Sequence, residues 1–125
     1  MEKVLIRNSK LKTVDCYELS YTAYEICLDI EIGRSLSAAT LIKLNDGSLR
    51  KERSNSFSIN IGTNSNLIGK TLFLMTTLCN VNKGPFEAKM KITISGGKRD
   101  WVHVMKKEPQ ASGKYIFYSA EIDFI

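Results

Sequence analysis

The residues of this chain that could do chemistry are few and widely spaced. His103 is its only histidine, and its three cysteines, Cys16, Cys27 and Cys79, include no C-x-x-C pair. Catalysis by a nucleophile or a general base needs a base held close to an oriented partner, and a zinc site needs clustered thiolates or imidazoles. The spacing therefore predicts no catalytic residue, no metal site and no cofactor, and an enzyme is not expected.

Carboxylates lie on both sides of Cys27. Glu25, Asp29 and Glu31 share one face of a predicted strand with it. Neighbouring carboxylates disfavour the thiolate, which argues against a nucleophilic cysteine. Calcium prefers six or more oxygen ligands, and no Asp-rich calcium loop is present. The pattern is therefore typical of an ordinary acidic face.

The segment from Gly62 to Thr71 contains Gly69-Lys70-Thr71, part of the phosphate-binding loop pattern. That pattern needs a glycine five positions before Gly69 and a helix after the loop. Asn64 occupies the glycine position, and a strand is predicted to follow. The segment is therefore interpreted as a loop that enters a strand.

The formal net charge of +5 is unevenly placed, because residues 1–47 carry −1 and residues 48–125 carry +6. If residues 86–94 pair with residues 101–107, Lys89, Lys91, Lys98 and Arg99 lie with Trp101 on one sheet face or its edge. Basic groups beside an exposed aromatic ring could bind single-stranded nucleic acid. No RNA-recognition signature accompanies them, and lysine-rich faces are common, so this partner remains an alternative.

The strand that follows this basic turn carries the tryptophan and the histidine. Val102 and Val104 are predicted to face the core, which would place Trp101, His103 and Met105 on the outer face. Trp101 and a tyrosine could then stack on a sugar or another small ligand, a second alternative.

Alternating apolar residues predict most of the chain as β-strands. The pattern is clearest over residues 24–32, where Ile26, Leu28, Ile30 and Ile32 share one face. Residues 72–79 are apolar on both faces, which is typical of a strand inside a sheet. With residues 86–94 they are expected to form a central hairpin. Residues 11–19 are interpreted as a strand, with a helix over Val14–Tyr24 as the competing interpretation.

Asn45-Asp46-Gly47 predicts a hairpin turn, since glycine at its third position accepts positive φ. The return arm, residues 48–53, is too charged to be buried and is expected to be an exposed ribbon or a mobile loop. The whole chain, residues 1–125, is predicted to be one antiparallel two-sheet β-sandwich of about seven to nine strands. A β-barrel is the alternative.

Apolar residues also occupy the second faces of two strands. Tyr115 and Phe117 oppose the inward face of the last strand, and Phe73 and Met75 oppose Leu72 and Leu74. Such a surface must be covered by a second sheet, a loop or another protein. The sequence therefore predicts a non-catalytic interaction module, a subunit of a protein assembly or a homo-oligomer. The predicted interaction surface consists of Trp101, His103, Tyr115 and Phe117, flanked by Lys89, Lys91, Lys98 and Arg99.

The compartment is predicted from the N-terminus and the cysteines. No signal-peptide core fits before Arg7, no apolar run is long enough for a membrane helix, and an odd number of cysteines argues against a disulfide framework. A soluble cytoplasmic protein without membrane insertion is expected. A removed leader or signal-independent export stays open.

Overall fold

Ten β-strands and one short helix are present in a computed structural model, which describes residues 2–6, 10–33, 36–80, 86–110 and 115–125. The elements are β1 (Glu2–Ile6), β2 (Lys10–Tyr17), β3 (Glu25–Ile32), β4 (Leu36–Leu44), β5 (Arg50–Ser54), β6 (Phe57–Thr63), α1 (Asn64–Leu67), β7 (Thr71–Asn80), β8 (Phe86–Ser95), β9 (Trp101–Gln110) and β10 (Tyr115–Phe124). Residues 11–17 are thus in a strand, as predicted. The charged return arm pairs with β4 as the exposed strand β5.

The strands form two five-stranded sheets, ordered β1-β9-β8-β3-β6 (sheet A) and β2-β10-β7-β4-β5 (sheet B). Neighbours are antiparallel except at one edge of each sheet, where β1 pairs with β9 and β2 with β10 in parallel. The sheets pack against each other, and the described residues form no closed barrel. The predicted all-β sandwich is therefore confirmed. In the described ranges, no helix is both long and apolar enough to span a lipid bilayer.

The core lies between the two sheets and is built from the alternating apolar residues. In β3, Leu28 and Ile30 are fully buried, and the register places them opposite Ile94 and Ile92 of β8. Inner faces of packed sheets interdigitate across about 10 Å, so these side chains meet the inner face of sheet B. The inward residues of β10 are Ile116, Tyr118, Ala120, Ile122 and Phe124.

The expected central hairpin is wrong, because β7 lies in sheet B and β8 lies in sheet A. Each is instead the middle strand of its own sheet. The position of β7 inside a sheet agrees with its apolar residues on both faces. Alternation identifies a strand but not its partner, and the same two patterns fit a hairpin or a connection that crosses from one sheet to the other.

The loop that enters β7 is held by an ion pair. Lys70 Nζ lies 3.0 Å from Asp46 Oδ2 in the turn between β4 and β5. Asp46 also accepts hydrogen bonds from the hydroxyl of Ser48 at 2.6 Å and from its backbone N–H at 2.9 Å. The two bonds from Ser48, followed by Lys70, hold the pKa of Asp46 well below its usual range. Lys70 is thus part of a surface contact between a turn and a strand.

Helix α1 is only four residues long, and its first residue ties three segments together. The side-chain oxygen of Asn64 accepts a hydrogen bond from the backbone N–H of Ser20 at 2.9 Å. Its amide nitrogen donates to the carbonyl oxygens of Tyr24 at 2.9 Å and Gly96 at 3.0 Å. The side chain is 0% exposed. The buried amide of Asn64 is therefore fully hydrogen-bonded, and its partners are backbone groups of three separate segments.

Candidate functional site

The outer face of sheet B is built by the residues that alternate with the core residues of its strands. In β10 the inward residues are buried. Tyr115 and Phe117, which alternate with them, are 60% and 54% exposed. Next to β10, Met75 of β7 is 43% exposed, and Leu72 and Leu74 of the same strand are buried. The second faces of these strands thus point away from the core, as the sequence predicts.

The strand register places apolar side chains from four strands on this face, with Val14 of β2 separated from Phe73 by Glu121. Met75 lies opposite Leu41 of β4 and next to Ser119 of β10, and Phe73 lies one register row away. Phe117 lies in the row on the other side. We call the following residues the apolar patch: Val14, Leu41, Phe73, Met75, Tyr115 and Phe117.

An open groove of about 600 Å³ runs along the β5 side of the apolar patch. Its floor is formed by Ala39, Leu41, Met75 and Thr77 on β4 and β7, and its wall by residues 52–54 of β5. Ala39 is exposed, and its small side chain leaves this part of the sheet surface low. The groove is therefore a shallow apolar depression with a polar wall.

Charged side chains stand beside the apolar patch in two register rows. In the first row, Phe73 lies between Glu121 of β10 and Lys43 of β4, and Lys43 Nζ lies 5.7 Å from the centroid of the Phe73 ring. The second row, centred on Met75, ends in Lys12 on β2 and Glu52 on β5. The Phe73 row ends in Val14 on β2 and Arg50 on β5. Each row therefore carries negative charge on one side of β7 and positive charge on the other.

The structure separates the eight residues of the predicted interaction surface into four places. Only Tyr115 and Phe117 lie on the outer face of sheet B. Lys98 and Arg99 lie in the turn between β8 and β9, where Lys98 Nζ is 3.3 Å from Glu18 Oε2. The other four lie either between the sheets or on the outer face of sheet A: Trp101, His103, Lys89 and Lys91.

The expected outward orientation of Trp101, His103 and Met105 is wrong. The register places His103 opposite Ile92 and Trp101 opposite Ile94, both inward residues of β8. His103 is 1% exposed, and Trp101 is half-buried against the core. These two residues therefore cannot form an interaction surface together with Phe117. The sequence pattern misled because β9 is apolar on both faces.

His103 lies in a buried polar cluster between the sheets. It shares a hydrogen bond of 3.2 Å between its Nε2 and Thr13 Oγ1, and it stacks on Trp101 with ring centroids 5.3 Å apart. Trp101 Nε1 donates to Asp15 Oδ2 at 3.0 Å. Burial raises the pKa of the neighbouring Tyr118 to about 12. The cluster joins β2 and β10 of sheet B to β9 of sheet A.

The lysines on the outer face of sheet A have an acidic neighbour in the same sheet. Lys91 of β8 lies directly opposite Glu31 of β3, and Lys89 is exposed next to it in the strand. On the same face, Asp29 accepts a hydrogen bond from the hydroxyl of Ser58. Among the described residues, no group of three His, Cys, Asp or Glu side chains is placed to hold a metal ion.

Sequence reasoning missed Val14, Ala39 and Leu41 as members of the candidate site. A signal was present for two of them. Ala39 and Leu41 alternate with the buried Ala38, Thr40 and Ile42, so β4, like β7, carries apolar residues on both faces. Val14 gave no such signal, because only its position opposite Glu121 of β10 places it on this face.

The described residues define an all-β sandwich in which the outer face of sheet B carries the apolar patch. Comparison of the chain with protein-family models, curated proteins and solved structures gave no match.

Proposed function

We propose that this chain is a non-catalytic binding module that acts as a subunit of a protein assembly and binds a protein through the outer face of sheet B. The observation that carries this proposal is the apolar patch on that face. An exposed apolar surface of this kind is typical of a protein–protein interface when polar residues surround it. The proposed location is the cytoplasm, since the three cysteines are free thiols and thiols persist in reducing compartments.

The two exposed aromatic side chains of the apolar patch support a protein partner. An aromatic side chain has roughly 200 Å² to bury, so Tyr115 and Phe117, each more than half exposed, offer roughly 100 Å² apiece. At about 25 cal/mol per Å², burying either side chain contributes about 2.5 kcal/mol to binding. Together with Met75, which lines the groove, these two aromatic residues are the kind of anchor that dominates interface energetics.

The alternative ligands receive less support from the geometry. Nucleic-acid binding needs basic groups in one continuous surface beside a stacking ring. Lys89 and Lys91 lie on the outer face of sheet A, whereas Trp101 is packed against His103 between the sheets. The cavity beside Trp101 measures about 160 Å³, below the ~300 Å³ at which small-ligand pockets begin.

Site-specific photo-crosslinking in the host cells tests the proposal. Benzoylphenylalanine is placed at position 117 on the apolar patch and, as a matched control, at position 24, where Tyr24 is 75% exposed outside sheet B. We expect an adduct with one identified protein, a second copy included, at position 117 and not at position 24. Equal crosslinking at the two positions, or none at position 117, would refute the proposal.

A further inference from the structure

We infer that the protein bound by the outer face of sheet B is a second copy of this chain, packed face to face about a two-fold axis that runs along β7. This inference rests on the proposed function and names its partner. It is drawn from the order of the strands and from the charges at the two sides of the face.

The strand order fixes what such an axis brings together. β7 is the middle strand of sheet B, with β10 and β2 on one side and β4 and β5 on the other. A two-fold axis along β7, lying between the two faces, places β10 on the partner's β4 and β2 on the partner's β5. Each residue then faces the partner's residue from its own register row, as an isologous interface requires.

The charges match in this arrangement. Glu121 and Lys43 stand on either side of Phe73 in one row, so Glu121 faces the partner's Lys43. Lys12 and Glu52 stand at the two ends of the Met75 row, so Lys12 faces the partner's Glu52. Symmetry repeats each contact, which gives four pairs of opposite charge. At the ends of the Phe73 row, the exposed Val14 faces the partner's exposed Arg50.

The shapes match in the same arrangement. Phe117 of β10 and Ala39 of β4 lie on either side of Thr77 in one row. The exposed ring of Phe117 therefore falls on the partner's Ala39, which forms part of the groove floor. Packed sheets are rotated by about 30°, which displaces strands one position from the axis by about 2.4 Å and the edge strands β2 and β5 by about 5 Å. The long side chains of Lys12 and Glu52 can span the larger displacement.

The alternative in-plane axis, perpendicular to the strands, fits poorly. Centred on the Met75 row, it exchanges the rows on either side and places Glu121 on the partner's Phe117 and Lys43 on the partner's Ala39. Both contacts would bury a charge against an apolar side chain without a partner charge, which is unfavourable. The axis along β7 is therefore the one that the residues favour.

The face is also large enough. Five strands at about 4.8 Å and roughly eight residues at about 3.3 Å give a planar area of about 600 Å². Because side chains protrude from the sheet, its accessible area is larger than this planar area and comes near the ~800 Å² that each partner contributes to a standard interface.

Charge exchange between variants tests the pairing. In Glu121→Lys, a lysine faces the partner's Lys43, and in Lys43→Glu, a glutamate faces the partner's Glu121. Each homodimer then contains two repulsive pairs, and we expect its dissociation constant to rise about 30-fold. In a mixture of the two variants, the heterodimer contains only attractive pairs at these positions. Mixing should therefore restore the dimer.

Sedimentation velocity over loading concentrations of about 1 to 100 µM, where dissociation constants in the micromolar range are visible, measures these equilibria. Glu31→Lys and Lys89→Glu make the same charge changes on the outer face of sheet A and should leave the dimer intact. The double variant with both exchanges should dimerise like the wild type. Circular dichroism confirms that every variant is folded.

The outcomes separate this inference from the proposed function. A dimer that both single variants weaken and that mixing restores supports the inference. A monomeric wild-type chain, weakening without restoration, or equal weakening by Glu31→Lys overturns it. If position 117 then crosslinks only to a different protein, the proposed function stands without self-association. If position 117 forms no adduct, both fail.

Discussion

Replacement of Asn64 by alanine should strongly destabilise the fold, and the structure gives the size of the effect. The side chain makes three hydrogen bonds, one from Ser20 and two to the carbonyls of Tyr24 and Gly96. At about 1 kcal/mol each, their loss lowers the free energy of unfolding by about 3 kcal/mol. For a chain of 125 residues, an unfolding entropy near 2.1 cal/mol/K per residue converts this into a fall in Tm of about 11 °C.

Urea unfolding, followed through the fluorescence of the single tryptophan, measures the change. We expect the midpoint to fall for Asn64→Ala while the slope with denaturant is unchanged. Asn66→Ala is the matched control, because Asn66 lies in the same helix and is exposed. It should change stability by less than about 0.5 kcal/mol. If the two variants behave alike, water or relaxed carbonyls replace the bonds, and the assigned role of Asn64 is wrong.

Asn64→Asp examines the same contacts through pH. The introduced carboxylate would face two carbonyl oxygens without a proton to donate, and its burial disfavours the charged form. Its pKa is therefore raised in the folded state above the unfolded value of about 3.9. When the pKa of an acid is higher in the folded state than in the unfolded state, the folded state loses stability as the pH rises through the folded-state pKa. The difference in the free energy of unfolding between wild type and Asn64→Asp should therefore become smaller as the pH falls from 7 towards about 4.

Three further predictions concern other parts of the molecule. Because the folded pKa of Asp46 is lowered, its carboxylate stabilises the fold above the unfolded pKa near 3.9, and this contribution is lost as pH falls through the folded value. Asp46→Asn should lower the urea midpoint at neutral pH and have less effect in acid; an equal effect at both would contradict this. Burial is the main cause that raises the pKa of the Cys27 thiol, and the nearby Asp29 is the second. In single Cys→Ser variants, Ellman's reagent should therefore label the exposed Cys16 faster than Cys27; faster labelling of Cys27 would contradict its raised pKa. Gly96→Ala should destabilise by more than about 2 kcal/mol, because a Cβ at φ +101° overlaps the backbone oxygen of Glu25; melting curves that match wild type would exclude that overlap.

Much of the fold could be predicted, because the alternation of apolar and polar residues within each strand shows which of its side chains are buried. Leu28 and Ile30 alternate with polar residues, and they are buried as the pattern requires. The pairing of β8 with β9, which are neighbours in sequence, agrees with the expectation for residues 86–94 and 101–107. Pairing between distant strands could not be predicted, since it depends on contacts between remote parts of the chain. His103 shows the difference. A histidine next to two valines suggests an outer face, yet Thr13, 90 positions away, provides a hydrogen-bond partner inside the sandwich.

The candidate site could be predicted only where one strand gave a sufficient signal. Tyr115 and Phe117 alternate with an inward apolar face, which places them outside without knowledge of any neighbour. Ala39 became part of the same surface only through the pairing of β4 with β7. Lys89 and Lys91 are predicted to lie beside Trp101 if residues 86–94 pair with residues 101–107. The two strands do pair, but the lysines lie on the outer face of sheet A, whereas Trp101 faces inward.

The two parallel edge pairs have a consequence for synthesis of the chain on the ribosome. Val4 of β1 pairs with Val104, and Leu11 of β2 pairs with Tyr118. At 5–20 residues per second, translation of the roughly one hundred intervening residues takes about 5 to 20 s. During that interval β1 and β2 are outside the ribosome without their native neighbours, and closing such distant contacts slows folding further. Among the strands of this sandwich, β1 and β2 therefore depend longest on chaperones or on their own charged residues to avoid aggregation.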